Sequence, residues 1–508
     1  MNIVDKAKRN ILFGTISRIV FLVCPFVAKT VIRYVLGAQY LGLNSLFYSI
    51  LEVLSLSELG FSSAIVYNLY KPVAEGDTKT VNAFLNFYKK AYRIIGIVVL
   101  ALGLMVLPFL PQLIKGTYSN DINLTTLYLV YLANSSISYF LYAYMSCIIV
   151  VHQRDDINSK INMTTKILLT GSQIMLLYLT KNYYLFVLTM PVFTIINNVW
   201  LAWMVHKQFP EYKCEGEVPK DKLVDFKKLI AGTFIQRACE ITRNALDSIC
   251  VSAFLGLTLT AIYNNYYYIS KSVTDMLGIV SVAFIGGIGN HIVSKTKTEN
   301  FEELKKIDFV YLTVSGWCAT CLICLYQPFM RIWMGEDMLL PIPAVILFVV
   351  YFYLLKLGDM RSMYSAGNGL WWEHRWRAIS ETFLNVILNI VLGKYFGIYG
   401  IIAATIISLF LCNFIWSVSI VFKRYFGFSP KAYYGYQLKY SLVNLAVLLV
   451  SYGLSTIICM GNAILDLLFR MVICVAVPAL LYFLVYRNTE GYMYAKERLR
   501  GNMKYEQS

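Results

Sequence analysis

The chain has 508 residues, of which 58% are hydrophobic and only 15% are charged, and its formal net charge is +16. A soluble domain has roughly 25% charged residues and a lower apolar content. Because the apolar residues fall in long runs, this composition excludes a soluble enzyme, a disordered chain and a nucleic-acid-binding module, and it predicts an all-α polytopic membrane protein.

Apolar runs long enough to cross a bilayer, which takes about 20 helical residues, recur along the whole chain. The runs lack the alternation of apolar and polar residues that a membrane β-barrel requires. We therefore predict about fourteen transmembrane helices, at 11–36, 41–70, 91–114, 122–151, 157–180, 183–206, 229–255, 259–291, 308–333, 339–366, 378–396, 398–422, 438–460 and 464–486.

The longest connection between predicted spans divides the chain into two halves of six spans each. The predicted boundaries are an N-terminal six-helix bundle at 1–206, a cytoplasmic linker at 207–228, a C-terminal six-helix bundle at 229–424, two additional transmembrane helices at 425–486 and a cytoplasmic tail at 487–508.

Short motifs of the first half recur in the second half. Leu36-Gly37 recurs as Leu255-Gly256, and Thr78-Lys79-Thr80 recurs as Thr296-Lys297-Thr298. Because each half has an even number of spans, the repeat is predicted to be parallel, about an axis along the membrane normal. The amphipathic stretches that follow Thr80 and Thr298 are predicted to lie flat on the inner leaflet.

The basic residues are distributed unevenly over the connections between spans. About 33 of the 45 Lys and Arg lie at the two termini or in alternate connections and the adjoining span ends, and the intervening connections with their adjoining span ends contain only Lys115, Lys181, Arg331, Lys394 and Arg470. This asymmetry predicts that both termini are cytoplasmic. All four His lie at predicted span ends, so we expect neither a metal site nor a cofactor within the membrane.

Charged residues within the spans are the candidates for a functional site. They are Arg18, Lys29 and Arg33 in span 1, Glu58 in span 2, Arg237, Glu240, Arg243 and Asp247 in span 7, Lys271 and Asp275 in span 8, and Lys356 and Asp359 in span 10. At 100° per residue, the three cations of span 1 share one helix face within about 60°. The four charges of span 7 also share one face.

The cost of exposing charge to lipid decides where these side chains can point. Each lipid-facing charge near the bilayer centre costs about 2.5–3.5 kcal/mol, so seven cations would cost on the order of 20 kcal/mol. That exceeds the stability of a typical fold. We therefore predict a shared polar cavity, and the repeat favours a position between the two halves.

Two interpretations of these charges remain open. Ion pairs such as Arg237–Glu240, Arg243–Asp247 and Lys271–Asp275 have the spacing to lock helices together. The span 1 cations have no acid within that span, and a cationic face without acids of its own suits an anion such as phosphate. The candidates for substrate binding are Arg18, Lys29, Arg33, Arg237, Arg243 and Lys271, and those for ion coupling or ion pairing are Glu58, Glu240, Asp247 and Asp275.

Several motifs of the chain are distinctive, and they are Leu36-Gly37-x-x-Tyr40-Leu41-Gly42-Leu43, Leu54-Ser55-Leu56-x-Glu58-Leu59-Gly60-Phe61, Leu69-Tyr70-Lys71-Pro72 and Asn385-x3-Asn389-x3-Gly393-x3-Gly397-x2-Gly400-x3-Ala404-Thr405. With these motifs the chain resembles the Wzx-type polysaccharide repeat-unit flippases of bacterial cell envelopes. The resemblance implies a MATE-like fold of the MOP superfamily, in which two six-helix bundles enclose a cavity.

The resemblance also implies a function in the bacterial cell membrane. Such flippases move undecaprenyl-diphosphate-linked oligosaccharide repeat units from the inner to the outer leaflet by alternating access. The products are capsule, O-antigen, exopolysaccharide or teichoic-acid-type polymers. The implied partners are the lipid-linked oligosaccharide, the bilayer, and the polymerase and glycosyltransferases of the pathway, with no nucleic acid.

Two other functions compete with this interpretation. A multidrug or organic cation exporter on the same fold would need an anionic and aromatic lining, and the span 1 cations argue against it. An envelope polymerase or glycosyltransferase would need a long external loop with catalytic groups. Every predicted external connection is about 10 residues or fewer, so we expect a transporter and not an enzyme.

Overall fold

Helices make up nearly all of the chain in the computed structural model, which describes residues 3–55, 61–116, 118–119, 121–218, 220–457 and 461–499. These ranges contain no β-strand, as expected from apolar runs without alternation. The predicted all-α fold is confirmed. The chain divides into two compact units, Met1–Ala261 and Ile262–Ser508, which are described separately below.

The N-terminal unit is built from long helices joined by short connections. They are α1 Ile3–Val35, α2 Ala38–Leu54, α3 Phe61–Glu75, α4 Thr78–Val106, α5 Leu124–Phe140, α6 Ser146–Val151, α7 Asp155–Thr180, α8 Tyr183–Gln208, α9 Lys220–Leu255 and the first residues of α10 Leu257–Ser294. Helix α1 packs along α7, α7 packs on α8, α5 lies against α4 and α8, and α2 packs against α9.

A glycine allows α2 to approach the first residue of α10 closely. A Cβ atom at Gly42 would lie only 2.1 Å from the carbonyl oxygen of Leu257, so a larger residue would force the helices apart. At the same end of α9, the backbone N–H of Lys115 donates to the carbonyl oxygen of Ser252 at 3.0 Å. These backbone contacts fix the end of α9 against the rest of the N-terminal unit.

The predicted span at 122–151 is bent. Its two parts, Leu124–Phe140 and Ala143–Val151, meet at an angle of 49°. Tyr142 lies between them with φ of 36°, in the left-handed region, and therefore interrupts the helical hydrogen bonding.

The C-terminal unit is built around α11. Its elements are the rest of α10, α11 Lys297–Met334, α12 Ile342–Lys356, α13 Asp359–Gly367, α14 Arg375–Ser408, α15 Ser417–Val421, α16 Lys431–Ile457, α17 Ala463–Tyr486 and α18 Glu490–Leu499, with π-helical turns at Leu409–Trp416 and Phe422–Phe426. Helix α11 packs against α12, α16, α17 and α18, and α12 packs against α14. The core of the C-terminal unit therefore lies around α11.

Helix α14 contains a sharp break at Gly397, where φ is 59° and ψ is −133°. The break separates the predicted spans 378–396 and 398–422. A Cβ atom at Gly400 would lie 2.0 Å from the carbonyl oxygen of Leu392, so glycine at position 400 lets the chain fold back tightly. Glycine is thus needed here for both the turn and the close approach.

The amphipathic stretches after Thr80 and Thr298 begin long helices. Each continues without a break into the following predicted span, within α4 and within α11. The Asp77 side chain caps α4 by accepting from the backbone N–H of Thr80 at 3.0 Å. At the start of α11, Thr296 and Glu299 form a capping box.

The helices have the length and apolarity of membrane spans. In the described part of the chain, eight helices meet both criteria, or nine if the bent pair is one span. The chain is therefore a multi-pass membrane protein, and the number of fourteen spans stays a prediction.

Candidate functional site

The cations predicted in span 1 all lie on the single helix α1. Arg18 is exposed, whereas Lys29 and Arg33 are half-buried. Residues 8–35 of α1 contain no Asp or Glu, so an acid that neutralises these charges has to come from another helix. Helix α1 packs mainly along α7 and also contacts α2.

The four charges predicted on one face of span 7 differ in exposure. Arg237 and Glu240 are exposed, whereas Arg243 and Asp247, one to two turns further along α9, are buried. The Nε of Arg243 donates to the side-chain oxygen of Asn244 at 3.4 Å. Helical periodicity predicts that these residues share one face but does not show where that face becomes covered.

Lys271 and Asp275 form an ion pair on α10 in the C-terminal unit. Their Nζ and Oδ1 atoms are 3.8 Å apart, and both side chains are more than half exposed. Because charges this exposed are costly in lipid, the pair requires a polar environment. Glu58 lies outside the described residues.

A buried carboxylate at the start of α7 is absent from the sequence-based candidates. Asp156 accepts hydrogen bonds from Arg9 at 2.8 Å, Arg154 at 3.0 Å and Lys160 at 3.2 Å. Its side chain is only 1% exposed. Burial alone would raise the pKa of Asp156, but hydrogen bonds from Arg154 and Lys160 and the nearby positive charges hold the pKa below its usual value.

This carboxylate ties three segments of the N-terminal unit together. Asn10 supports the same junction, because its side chain accepts from the backbone N–H of Asp156 and donates to the carbonyl oxygen of Gln153. The sequence signal, an acid flanked by cations at a span end, is common on helix surfaces. Only the fold shows that Arg9 reaches Asp156 from α1.

The C-terminal unit contains a second set of charges that are held inside the protein. Asp308 is buried and accepts from Tyr436 at 2.6 Å and Gln437 at 2.7 Å. Lys356 pairs with Asp359 at 2.7 Å. Arg361 is fully buried, and its Nη2 donates to the carbonyl oxygen of Asn413 at 2.9 Å. These contacts join α11 to α16, and α13 to the π-helical turn at Leu409–Trp416.

Helix α14 carries a further buried ion pair and a cluster of amides. Arg377 and Glu381 are 2.6 Å apart and both are buried. The Asn385 side chain donates to Thr405 at 3.0 Å and accepts from Asn389 at 3.1 Å. The Asn385-x3-Asn389 spacing thus contributes polar packing between the two arms of the chain that Gly397 separates.

The described residues contain no group of three His, Cys, Asp or Glu side chains placed to hold a metal ion. The charged residues instead differ in burial, and two groups lie at the extremes. One group is buried with partners, as at Asp156 and Glu381. The other is exposed within predicted spans: Arg18, Arg237, Glu240, Lys271 and Asp275.

Comparisons with known proteins identify the fold. No protein-family profile matches the sequence, and no curated protein matches it. Among solved structures, the lipid II flippase MurJ in an inward closed conformation superposes with a TM-score of 0.67 at 19% identity, over 94% of this chain and 99% of MurJ.

MATE transporters superpose as well. An inward-facing multidrug resistance MATE family transporter of the MOP superfamily gives a TM-score of 0.57 at 15% identity, over 78% of this chain and 94% of the transporter. A point mutant of the Vibrio cholerae MATE transporter VcmN gives 0.55 at 11% identity, over 84% of this chain and 99% of VcmN. The predicted MATE-like fold is confirmed: the chain has the fold that MurJ shares with the MATE transporters.

Proposed function

We propose that this protein is a flippase that moves undecaprenyl-diphosphate-linked oligosaccharide repeat units from the inner to the outer leaflet by alternating access. The observation that carries the proposal is the set of exposed cations within predicted spans, above all Arg18 on a span without acids. A cationic surface in a membrane protein suits a diphosphate headgroup. The likeness to MurJ, a lipid II flippase, supports a lipid-linked cargo.

Each predicted site residue has a place in this proposal. The accessible cations Arg18, Arg237 and Lys271 are the candidates for contact with the diphosphate, and Lys29 and Arg33 extend the positive charge along α1. Arg243 is buried, so its contribution is to the field at the site rather than to direct contact. Asp247, Asp275, Glu240 and Glu58 are the candidates for coupling a proton or Na⁺.

The membrane potential supplies part of the driving force in this proposal. Outward movement of about two negative charges in an inside-negative potential releases roughly 4–5 kcal/mol per 100 mV. The proposed location is the bacterial inner membrane with both termini cytoplasmic. The proposed partners are the polymerase and glycosyltransferases of a capsule, O-antigen, exopolysaccharide or teichoic-acid-type pathway.

A flipping assay with purified, reconstituted protein tests the proposal. Proteoliposomes containing a fluorescent lipid-diphosphate-linked oligosaccharide would report headgroup transfer by its accessibility to an external quencher. We expect Arg18→Ala and Lys271→Ala to slow transfer at least tenfold without loss of folded protein. Arg331→Ala is the matched control, because Arg331 is also a half-exposed cation but lies at the end of α11 in a pair with Glu336. Unimpaired transfer in both site variants would refute the phosphate role.

The likeness to MATE transporters favours a second candidate, an organic cation exporter on the same fold. Its cargo would require anionic contacts, whereas residues 8–35 of α1 offer cations alone. The two candidates predict opposite ligand responses. Thermal stabilisation of the purified protein by lipid diphosphates supports the flippase, and stabilisation by organic cations alone supports the exporter.

A further inference from the structure

The N-terminal unit contains a polar pocket of about 360 Å³ that none of the predicted site residues lines. Ser17 of α1 lies on one side, Asn158 and Asn162 of α7 on another, and Asn197 and Asn198 of α8 on a third. The volume falls in the lower part of the range for small-molecule sites, enough for one or two sugar rings.

The groups in this pocket determine which ligand chemistry fits. The lining residues include no Lys or Arg, so the pocket lacks the charge-assisted donors that phosphate requires. They do include four asparagine amides, several serine hydroxyls and the Asp155 carboxylate. Amides both donate and accept, and a carboxylate accepts, which together match the adjacent hydroxyl groups of a sugar.

One of these groups has an unused acceptor. Asn158 is nine-tenths buried, and its amide nitrogen donates to Asp155 at 2.9 Å. Within the described part of the chain, its side-chain oxygen has no hydrogen-bond partner. A buried acceptor left without a donor is costly, and a ligand hydroxyl would satisfy it once the amide turns towards the pocket.

Neighbouring side chains hold two other amides in place. The hydroxyl of Thr165 donates to the side-chain oxygen of Asn197 at 2.8 Å, and the amide of Asn198 donates to Ser138 at 3.1 Å. Ligand binding then requires less ordering of these side chains, which favours affinity.

Charge in the pocket favours an uncharged sugar. The cations nearest in sequence to Asp155, which are Arg154 and Lys160, bind Asp156, as does Arg9. Asp155 is the one acid among the lining residues. A uronic acid or a phosphate would meet this carboxylate with no cation in the lining to compensate.

We infer that this pocket binds neutral sugar residues of the transported oligosaccharide. The inference rests on the proposed function. It assigns the sugar to this pocket and the diphosphate to the cations of α1. Ser17 lines the pocket and directly precedes Arg18, so a sugar in the pocket and a phosphate on the cationic face would be neighbours along α1.

Saturation-transfer NMR on the full chain in lipid nanodiscs tests the inference. Nanodiscs avoid alkyl maltoside detergents, whose sugar headgroups would compete for the pocket. The probes are N-acetylglucosamine, glucose, glucuronate and, by phosphorus line broadening, inorganic pyrophosphate. We expect saturation transfer to at least one neutral sugar, with at least fivefold less transfer to glucuronate.

Two variants attack the pocket differently. Asn158→Leu removes the unused acceptor, and Ser17→Trp fills the pocket from α1 without touching any asparagine. We expect each to reduce saturation transfer at least tenfold while pyrophosphate broadening is unchanged. Asn134→Leu is the matched control, because Asn134 is also an amide that a threonine, Thr194, contacts, but it lies on α5 and does not line the pocket.

The outcomes separate the inference from the proposed function. If no sugar shows saturation transfer, or if both pocket variants show undiminished saturation transfer, the inference is overturned even if flipping is observed. Conversely, Arg18→Ala should abolish pyrophosphate broadening and keep sugar transfer. If flipping fails while sugar transfer depends on Asn158 and Ser17, the pocket stands and the proposed function does not.

Discussion

Two ion pairs of the C-terminal unit have the same i,i+4 spacing and opposite surroundings. Arg377 and Glu381 on α14 are 2.6 Å apart, with side chains 10% and 7% exposed. Lys271 and Asp275 on α10 are 3.8 Å apart, with side chains 56% and 63% exposed. Sequence spacing alone predicts both pairs. Burial separates a pair that the fold encloses from one that a ligand can reach.

The buried pair should be the more costly to break. Glu381→Ala leaves Arg377 inside the protein with its main acceptor removed, so we expect a loss of about 3–5 kcal/mol in the free energy of unfolding. Thermal unfolding followed by size-exclusion chromatography measures the loss. Replacing both partners, as Arg377→Met with Glu381→Leu, should recover most of it, since an apolar pair avoids the desolvation of charge.

Breaking the exposed ion pair on α10 is the control for this prediction. Asp275→Ala should change the free energy of unfolding by less than about 1 kcal/mol, because exposed ion pairs contribute little. Equal losses in Glu381→Ala and Asp275→Ala would show that burial does not separate the two pairs.

The N-terminal unit offers an independent test at Asp156. Asp156→Ala removes the acceptor shared by Arg9, Arg154 and Lys160, and we expect a loss of about 3 kcal/mol. The expected loss is at the low end because Arg9 and Lys160 are partly exposed and can turn towards water. Glu75→Ala, which breaks the exposed Lys71–Glu75 pair, should change stability by less than about 0.5 kcal/mol. A fall as small as this for Asp156→Ala would contradict a structural role.

We expect the stability of the protein to depend on pH through His374, which is close to the buried pair. Burial and the nearby charges of Arg377 and Arg361 lower the pKa of His374 to about 3. The unfolded chain takes up this proton below its ordinary pKa of about 6.5, whereas the folded protein stays neutral at His374 down to about pH 3. The contribution of His374 to stability is therefore complete at neutral pH and above, and it falls as the pH decreases.

The His374 contribution can be isolated with one variant. Between about pH 6.5 and about pH 5 the wild type should lose roughly 1.5 kcal/mol more than His374→Gln, which cannot titrate. Thermal unfolding at the two pH values measures the difference. Identical pH dependence in both proteins would mean that His374 is accessible to protons in the folded state.

The helical fold could be predicted well from the sequence because membrane spans are marked by their length and apolarity. The position of Arg18, Lys29 and Arg33 on one helix was also predictable, since helical periodicity needs only residue spacing. The sequence did not predict which of these charges the fold covers. Periodicity places Arg237 and Arg243 on one face of α9, yet Arg243 is buried and Arg237 is exposed.

Contacts between segments far apart in the chain could not be predicted from the sequence either. Asp156 meets Arg9 across 147 residues, and Asp308 meets Tyr436 across 128 residues. Nothing in the local pattern at Asp156 distinguishes it from an acid on a solvated helix end. The pocket around Asn158 is a similar case, because four separate helices contribute its amides and hydroxyls.

The smallest expected effect concerns ligand affinity at the exposed pair. Asp275 lies within 4 Å of Lys271 and opposes the attraction of an anion to that cation. Asp275→Asn keeps the size and polarity of the side chain but removes its charge, so we expect inorganic pyrophosphate to bind roughly fivefold more tightly, equivalent to about 1 kcal/mol. Titration of the purified protein in nanodiscs at low and high salt measures the change, which should shrink as salt screens the charges.

Glu336→Gln, which frees Arg331 in the same way at the end of α11, should leave the affinity unchanged. A similar gain in both variants would indicate a general charge effect, and a gain confined to Asp275→Asn would indicate that Lys271 itself contacts the anion.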